Sequence, residues 1–138
     1  QEKQSIMGHS MGGLGALNIA IRNPEIYKTV SAFAPISNPT GGVWGQKQFG
    51  AYLGPNKNNW EKYDPSILLT EYGYRGKILI DQGTKDDFLD KLMPESLEKI
   101  LNKRKNGDLL RYQDGYDHSY FFVSSFLKDH VNWHIDNN

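Results

Sequence analysis

The chain has 138 residues, the length of one ordinary domain, and folding such a chain buries roughly 70% of the surface that its unfolded form exposes. Its 16 basic residues balance 16 acidic ones, which leaves no net field to recruit nucleic acid or an anionic membrane and favours a small, near-neutral molecule as partner. The absence of cysteine excludes disulfides, thiolate metal sites and a thiol nucleophile and favours a cytoplasmic setting; no apolar run approaches the ~20 residues of a membrane span, and Gln1-Glu2-Lys3-Gln4 is too polar to begin a signal peptide.

Gln4 to Met7 is a short, partly apolar run ending at Gly8, which suits a strand that enters a tight turn. Leu14, Leu17, Ile19, Ala20 and Ile21 then recur at helical spacing until Asn23-Pro24 stops them, so a helix is predicted over 11–22. Thr29 to Phe33 is a β-branched and aromatic run with the character of a buried parallel strand. The stretch from Ala34 to Tyr74 is rich in Gly, Asn and Pro and about three times longer than a usual connection, which marks it as a functional insertion. Its aromatics, Trp44, Phe49, Tyr52, Trp60 and Tyr63, fit a lid-like segment packed on the sheet, and Asp64-Pro65 supplies the cap and first residue of a short helix. Lys77 to Asp81 reads as a second buried strand. Pro94 to Lys105 reads as a helix that stops at Asn106-Gly107. Leu109 to Gln113 is a further strand, and Phe122, Val123, Phe126, Leu127 and His130 share one face of a helix over 119–132. The order strand, helix, strand, strand, helix, strand, helix predicts an α/β fold, with a mostly parallel sheet flanked by helices.

Chemistry concentrates at Gly8-His9-Ser10-Met11-Gly12. A serine hydroxyl is a weak nucleophile until it is exposed, given a base and faced by donors for the oxyanion it creates. In a G-x-S-x-G turn between strand and helix, glycines two positions on either side relieve crowding and lift the serine Oγ above the sheet edge. Ser10 is therefore the candidate nucleophile, and the backbone N–H of Met11, at the helix start, is a candidate oxyanion donor. This turn is the hallmark of the α/β-hydrolase fold, in which serine, acid and histidine follow in that order on loops at the strand ends. His118, between the last strand and the last helix, is placed to act as general base. His9 occupies the turn itself, so its ring is expected to point away from the hydroxyl and to pack or hydrogen-bond locally. His130 and His134 are four apart on one helix, a metal-ligand spacing, but no Glu follows His130 as H-E-x-x-H requires; a helix surface is expected for both. For the acid, the segment from Asp81 offers Asp81, Asp86, Asp87 and Asp90. Position past the strand end favours Asp86 or Asp87, and periodicity does not choose between them.

Together, Gly8-His9-Ser10-Met11-Gly12-Gly13, Trp44-Gly45, Ala51-Tyr52-Leu53-Gly54, Ile80-Asp81-Gln82-Gly83, Phe88-Leu89 and Gly115-Tyr116-Asp117-His118-Ser119-Tyr120 resemble S-formylglutathione hydrolase, also called esterase D, over nearly the whole chain. The resemblance implies Ser10 as nucleophile, His118 as base and, three residues after Gly83 and two before Phe88, Asp86 as acid. It implies hydrolysis of S-formylglutathione to glutathione and formate, with simple esters as further substrates, in formaldehyde detoxification and without metal or organic cofactor. Trp44 is a candidate for the acyl pocket, with core packing as its other role. The resemblance further implies that this chain is the C-terminal half of a single α/β-hydrolase domain, starting at the elbow strand and carrying its insertion at about 34–74. The upstream half would hold the second oxyanion donor, and losing one such donor typically costs about 10² to 10³ in rate. The four strands are then expected as a contiguous piece whose first strand exposes an edge and an apolar flank. Aggregation, or binding of the missing N-terminal half as another polypeptide, follows from that exposure, and a homo-oligomer is a further possibility. A related serine acyltransferase or larger-substrate carboxylesterase, and a non-catalytic module that kept the fold, are the alternative functions.

Overall fold

The computed structural model describes residues 3–138, so Gln1 and Glu2, which open the polar start discussed above, lie outside the described residues. Four strands form one parallel sheet in the order β1-β2-β3-β4: β1 (Gln4–His9), β2 (Tyr27–Phe33), β3 (Lys77–Gly83) and β4 (Leu109–Gln113). Six α-helices join and cover them: α1 (Met11–Arg22), α2 (Val43–Leu53), α3 (Pro65–Glu71), α4 (Leu89–Leu92), α5 (Pro94–Arg104) and α6 (Tyr120–Asn137). Every strand, and each of the three long helices read from periodicity, is present. The contiguous parallel piece is the one expected.

Alternation along β2 and β3 sends successive side chains to opposite faces of the sheet. Val30, Ala32, Ile78 and Ile80 enter a core with Ala16, Leu17, Ala20 and Ile21 of α1, Leu68 and Leu69 of α3, and Leu97 and Leu101 of α5. The other face meets α6, with Phe33 edge-on to Phe122 and stacked on His130 at 3.8 Å between centroids. Burial of this apolar area, at roughly 25 cal/mol per Å², is what holds the helices on the sheet.

Three elements differ from the expectation. The strand read as ending at Asp81 continues through Gln82 and Gly83, because these residues still pair with Tyr112 and Gln113 of β4. The insertion is not a lid throughout: α3 lies in the main core, capped by Asp64, whose Oδ1 accepts from the amides of Ser66 and Ile67. Phe49 and Trp60 are buried, while Tyr52 is exposed. Helix α6 runs on to Asn137, five residues past the point where its apolar pattern fades, since polar side chains there are partnered on the sheet.

His130 and His134 are the clear correction. Both are buried rather than on a helix surface. Spacing by four puts them on the face of α6 that meets β2, which presents hydroxyls instead of hydrocarbon at Thr29 and Ser31. The result is a line of hydrogen bonds under the sheet. A carboxylate only accepts, so His130 Nε2–H donates to Asp81 Oδ2 at 2.7 Å, and its Nδ1 accepts from Ser31 Oγ at 2.8 Å. Ser31 accepts in turn from His134 Nε2 at 2.9 Å, and His134 Nδ1 accepts from Thr29 at 2.7 Å. Thr29 accepts from Ser5, and Ser5 from the Asn138 side-chain amide, each at 2.7 Å. Burial, and then the neighbouring His130, push the His134 imidazole down to about 4, so it is neutral at pH 7.

Candidate active site

The C-terminal ends of β1, β3 and β4 bring three side chains together. Ser10 follows β1 with φ 58° and ψ −117°, a left-handed backbone that stores roughly 1–3 kcal/mol of strain in a non-glycine residue. Its amide donates to the Phe33 carbonyl at 2.9 Å, extending the β1–β2 ladder by one bond and holding the turn. Gly8 permits the sharpness of that turn: a Cβ there would lie 2.1 Å from the Gly12 carbonyl oxygen. Gly12, the other motif glycine, would meet nothing within 4 Å, whereas Gly13 lies against Pro35 and Ala32. The close approach is therefore at Gly8 and Gly13.

Ser10 Oγ lies 2.8 Å from His118 Nε2, and His118 Nδ1 lies 2.7 Å from Asp86 Oδ2. Because Asp86 accepts, the ring carries its proton on Nδ1 and presents a free lone pair on Nε2 to the serine hydroxyl. Two loops are clamped to make this possible. Thr84 N–H donates to the Gln113 carbonyl and Lys85 N–H to the Tyr116 carbonyl, while Thr84 Oγ accepts from Gly115 N–H. The crossing needs Gly83, whose Cβ would sit 2.2 Å from the Tyr116 carbonyl oxygen. Phe88 meets the His118 ring edge-on at 5.3 Å, fixing its plane.

Of the four candidate acids, Asp86 alone reaches His118. Asp81 points to the α6 face, where it accepts two bonds from Arg111 and others from Gln113 and His130. Asp87 and Asp90 are exposed. Burial pushes the Asp86 carboxyl upward, but hydrogen bonds from His118, the Phe88 amide and Gln82 outweigh it and hold the group below the ordinary carboxylate value. Gln82 had no role in the sequence reading beyond its place in a motif. No periodicity marks a polar residue on a buried strand end as a partner of the next loop.

His9 packs locally, its ring 4.7 Å from that of His118 and 6.0 Å from that of Tyr120. Its Nε2 is buried with no partner among the described residues, and burial followed by the nearby His118 lowers its proton affinity. Met11 heads α1 with an exposed side chain; the first amides of a helix have no intrahelical acceptor, so its N–H is available beside Ser10. Trp44, in the first turn of α2, stands 4.7 Å from Phe88 and under Lys91 Nζ at 5.2 Å, which puts it two rings away from His118. It also borders a surface cleft with Lys47, Gln48, Ala51 and Tyr52. Among the described residues no cluster of His, Asp and Glu is arranged to hold a metal ion, and no helix is long and apolar enough to cross a membrane.

The Esterase family model, described as "Putative esterase", matches residues 1–133. The chain is 54% identical over 136 residues to an S-formylglutathione hydrolase of Paracoccus denitrificans (strain Pd 1222), covering 99% of this chain and 49% of that protein. Among solved structures it matches an S-formylglutathione hydrolase from Agrobacterium tumefaciens with a TM-score of 0.90 and 44% identity, over 97% of this chain and 49% of that one. A fluorophosphonate-binding serine hydrolase of Staphylococcus aureus shares the fold, with a TM-score of 0.73 and 21% identity, over 95% of this chain and 53% of that one. The chain thus spans about half the length of these relatives.

Proposed function

This chain belongs to the Esterase family, and from that premise we propose that it is the C-terminal, nucleophile-bearing half of a serine hydrolase that cleaves S-formylglutathione and simple carboxylic esters. The observation that carries the reading is the unbroken line Ser10 Oγ, His118, Asp86 at the strand ends, with bonds of 2.8 and 2.7 Å. In the proposed reaction Ser10 Oγ attacks the formyl carbon as His118 Nε2 takes its proton. Asp86 stabilises the imidazolium, and the Met11 amide faces the oxyanion. Collapse breaks the carbon–sulfur bond, and His118 returns the proton to the departing thiolate. Water, deprotonated by His118, then hydrolyses the formyl-enzyme to formate. No step calls for a cofactor. Trp44 borders the substrate side through Phe88, and a cytoplasmic setting suits a glutathione thioester.

We also propose that the remaining length of the relatives corresponds to the surface this chain leaves open. Strand β1 is an edge, and α6, packed on β2 and β3, reaches it at both ends, with Tyr120 near His9 at one and Asn138, just past the helix, bonded to Ser5 at the other. Leu127, Val131 and Ile135, spaced by four on α6, form an exposed apolar stripe. An N-terminal half, supplied on the same or another polypeptide, would pair with β1 and cover the stripe.

The test is acylation of Ser10. Mixing the chain with p-nitrophenyl acetate is expected to release p-nitrophenol, and Ser10→Ala to abolish the release. Asp86→Asn should slow it by about 10³ to 10⁴, because the imidazole is left in the wrong tautomer. Asp87→Asn should behave as the unsubstituted chain. An unaffected Asp86→Asn variant would remove the proposed acid, and an unaffected Ser10→Ala variant the whole mechanism.

A further inference from the structure

We propose that Gln82 is a positioning residue: its side-chain amide holds the Asp86 oxygen that accepts the His118 proton. The inference rests on the serine-hydrolase reading above and concerns a group outside the Ser10–His118–Asp86 line.

Gln82 is fully buried on β3, and its Nε2 donates to Asp86 Oδ2 and to the Gly83 carbonyl, each at 3.1 Å. The same Oδ2 receives His118 Nδ1–H at 2.7 Å, while Oδ1 is held by the Phe88 amide at 2.8 Å. Both carboxylate oxygens are thus pinned, one by a loop amide and the other from the sheet. Without Gln82 the carboxylate would be held only by the ring it is meant to orient and by its own loop.

The orientation of the amide is decided by its surroundings. Both groups facing Nε2 are acceptors, so turning the amide over would set Oε1 against a carboxylate and a carbonyl. As placed, Oε1 is buried with no partner among the described residues. A buried acceptor without a partner is a cost that a hydrocarbon side chain at this position would not carry. The compensation visible in the structure is what the two N–H bonds do for Asp86 and Gly83. The groups facing Asp86 are His118 from the β4–α6 loop, Gln82 from β3 and the Phe88 amide, with His9 beyond His118. Asp81 lies on the opposite face of the sheet.

The experiment compares the unsubstituted chain with Gln82→Met and Gln82→Glu, reading the rate of Ser10 labelling by a fluorophosphonate probe from pH 5 to 9 by intact mass. Gln82→Met fills the space without a donor and is expected to label roughly ten- to a hundredfold more slowly. In Gln82→Glu the new carboxyl, beside an ionised Asp86, keeps its proton to unusually high pH and donates it to Oδ2. Its rate relative to the unsubstituted chain should be near one at low pH and fall as pH rises and two carboxylates come to face each other. A Gln82→Met rate equal to that of the unsubstituted chain, or a pH-independent ratio for Gln82→Glu, overturns the role. If the unsubstituted chain does not label at any pH, the hydrolase reading fails by itself. The low-field proton resonance of His118 Nδ1–H then decides the positioning role, which predicts a shifted or lost signal in Gln82→Met and is overturned by an unchanged one.

Discussion

Gly8 and Gly12 stand symmetrically about Ser10, yet they carry different burdens. A methyl group on Gly8 would run into the backbone of Gly12, which cannot move without unwinding the start of α1. On Gly12 it would meet open space in an α-helix, where alanine is the better former. Gly8→Ala is accordingly expected to lower stability by about 3 kcal/mol, and Gly12→Ala to raise it by about 0.5–1 kcal/mol. Urea unfolding of the two variants measures this; equal effects would place the tight contact elsewhere. The acid shows the limit of reading at this scale. Asp86 and Asp87 are adjacent in a loop, where no repeat assigns a direction, and only a motif likeness favoured Asp86. What separates them in space is the pair of bonds from Thr84 and Lys85 to the next loop.

Helix α6 was visible in the sequence by its phenylalanines, but its last five residues and the purpose of its histidines were not. Histidine on a charged, amphipathic helix reads as surface because its burial is favourable only where hydroxyls and a carboxylate wait on the opposing strand. Residues 29, 31 and 81 become that partner surface only through β2–β3 pairing. The arrangement makes docking of α6 sensitive to pH. His134 is depressed to about 4 in the folded chain against 6.5 for the free side chain, so the unfolded state binds the extra proton between those values. Stability contributed by neutral His134 is therefore complete above about pH 6.5 and lost as pH falls toward 4, at about 1 kcal/mol per pH unit. Thermal unfolding between pH 4 and 7 should show this slope, and His134→Gln should flatten it. An equal slope in the variant would move the effect to another group.

The molecule as a whole has a covered core and an open side. One face of the sheet is covered by α1, α3 and α5, while β1 is an open edge beside a helix that shows Leu127, Val131 and Ile135 to solvent, Ile135 at 71% of its surface. Open edges and apolar stripes drive association. Light scattering of the chain is expected to report concentration-dependent self-association. The double substitution Val131→Lys and Ile135→Lys should suppress it with little change in unfolding temperature, since neither side chain supports the core. A monodisperse monomer at high concentration would remove the premise that this surface seeks a partner.

Local patterning determined a good deal by itself: the four strands, the three long helices and the short helix capped by Asp64, though not α2 or α4, and that a serine sits in a tight turn between the first strand and helix. Those features depend on neighbours a few residues away, through hydrophobic period, caps and turn residues, so they are legible in a string of letters. Tertiary structure decided the rest. Asp86 rather than Asp87 meets His118, and His130 and His134 turn inward, because residues from 32 to 108 positions apart are brought within 2.9 Å by sheet pairing and loop clamps, while Gln82 reaches Asp86, four positions on, across the turn that ends β3. Hydrogen bonds act over a few ångströms whatever the separation along the chain, and no pattern of near neighbours encodes which distant groups will close that gap.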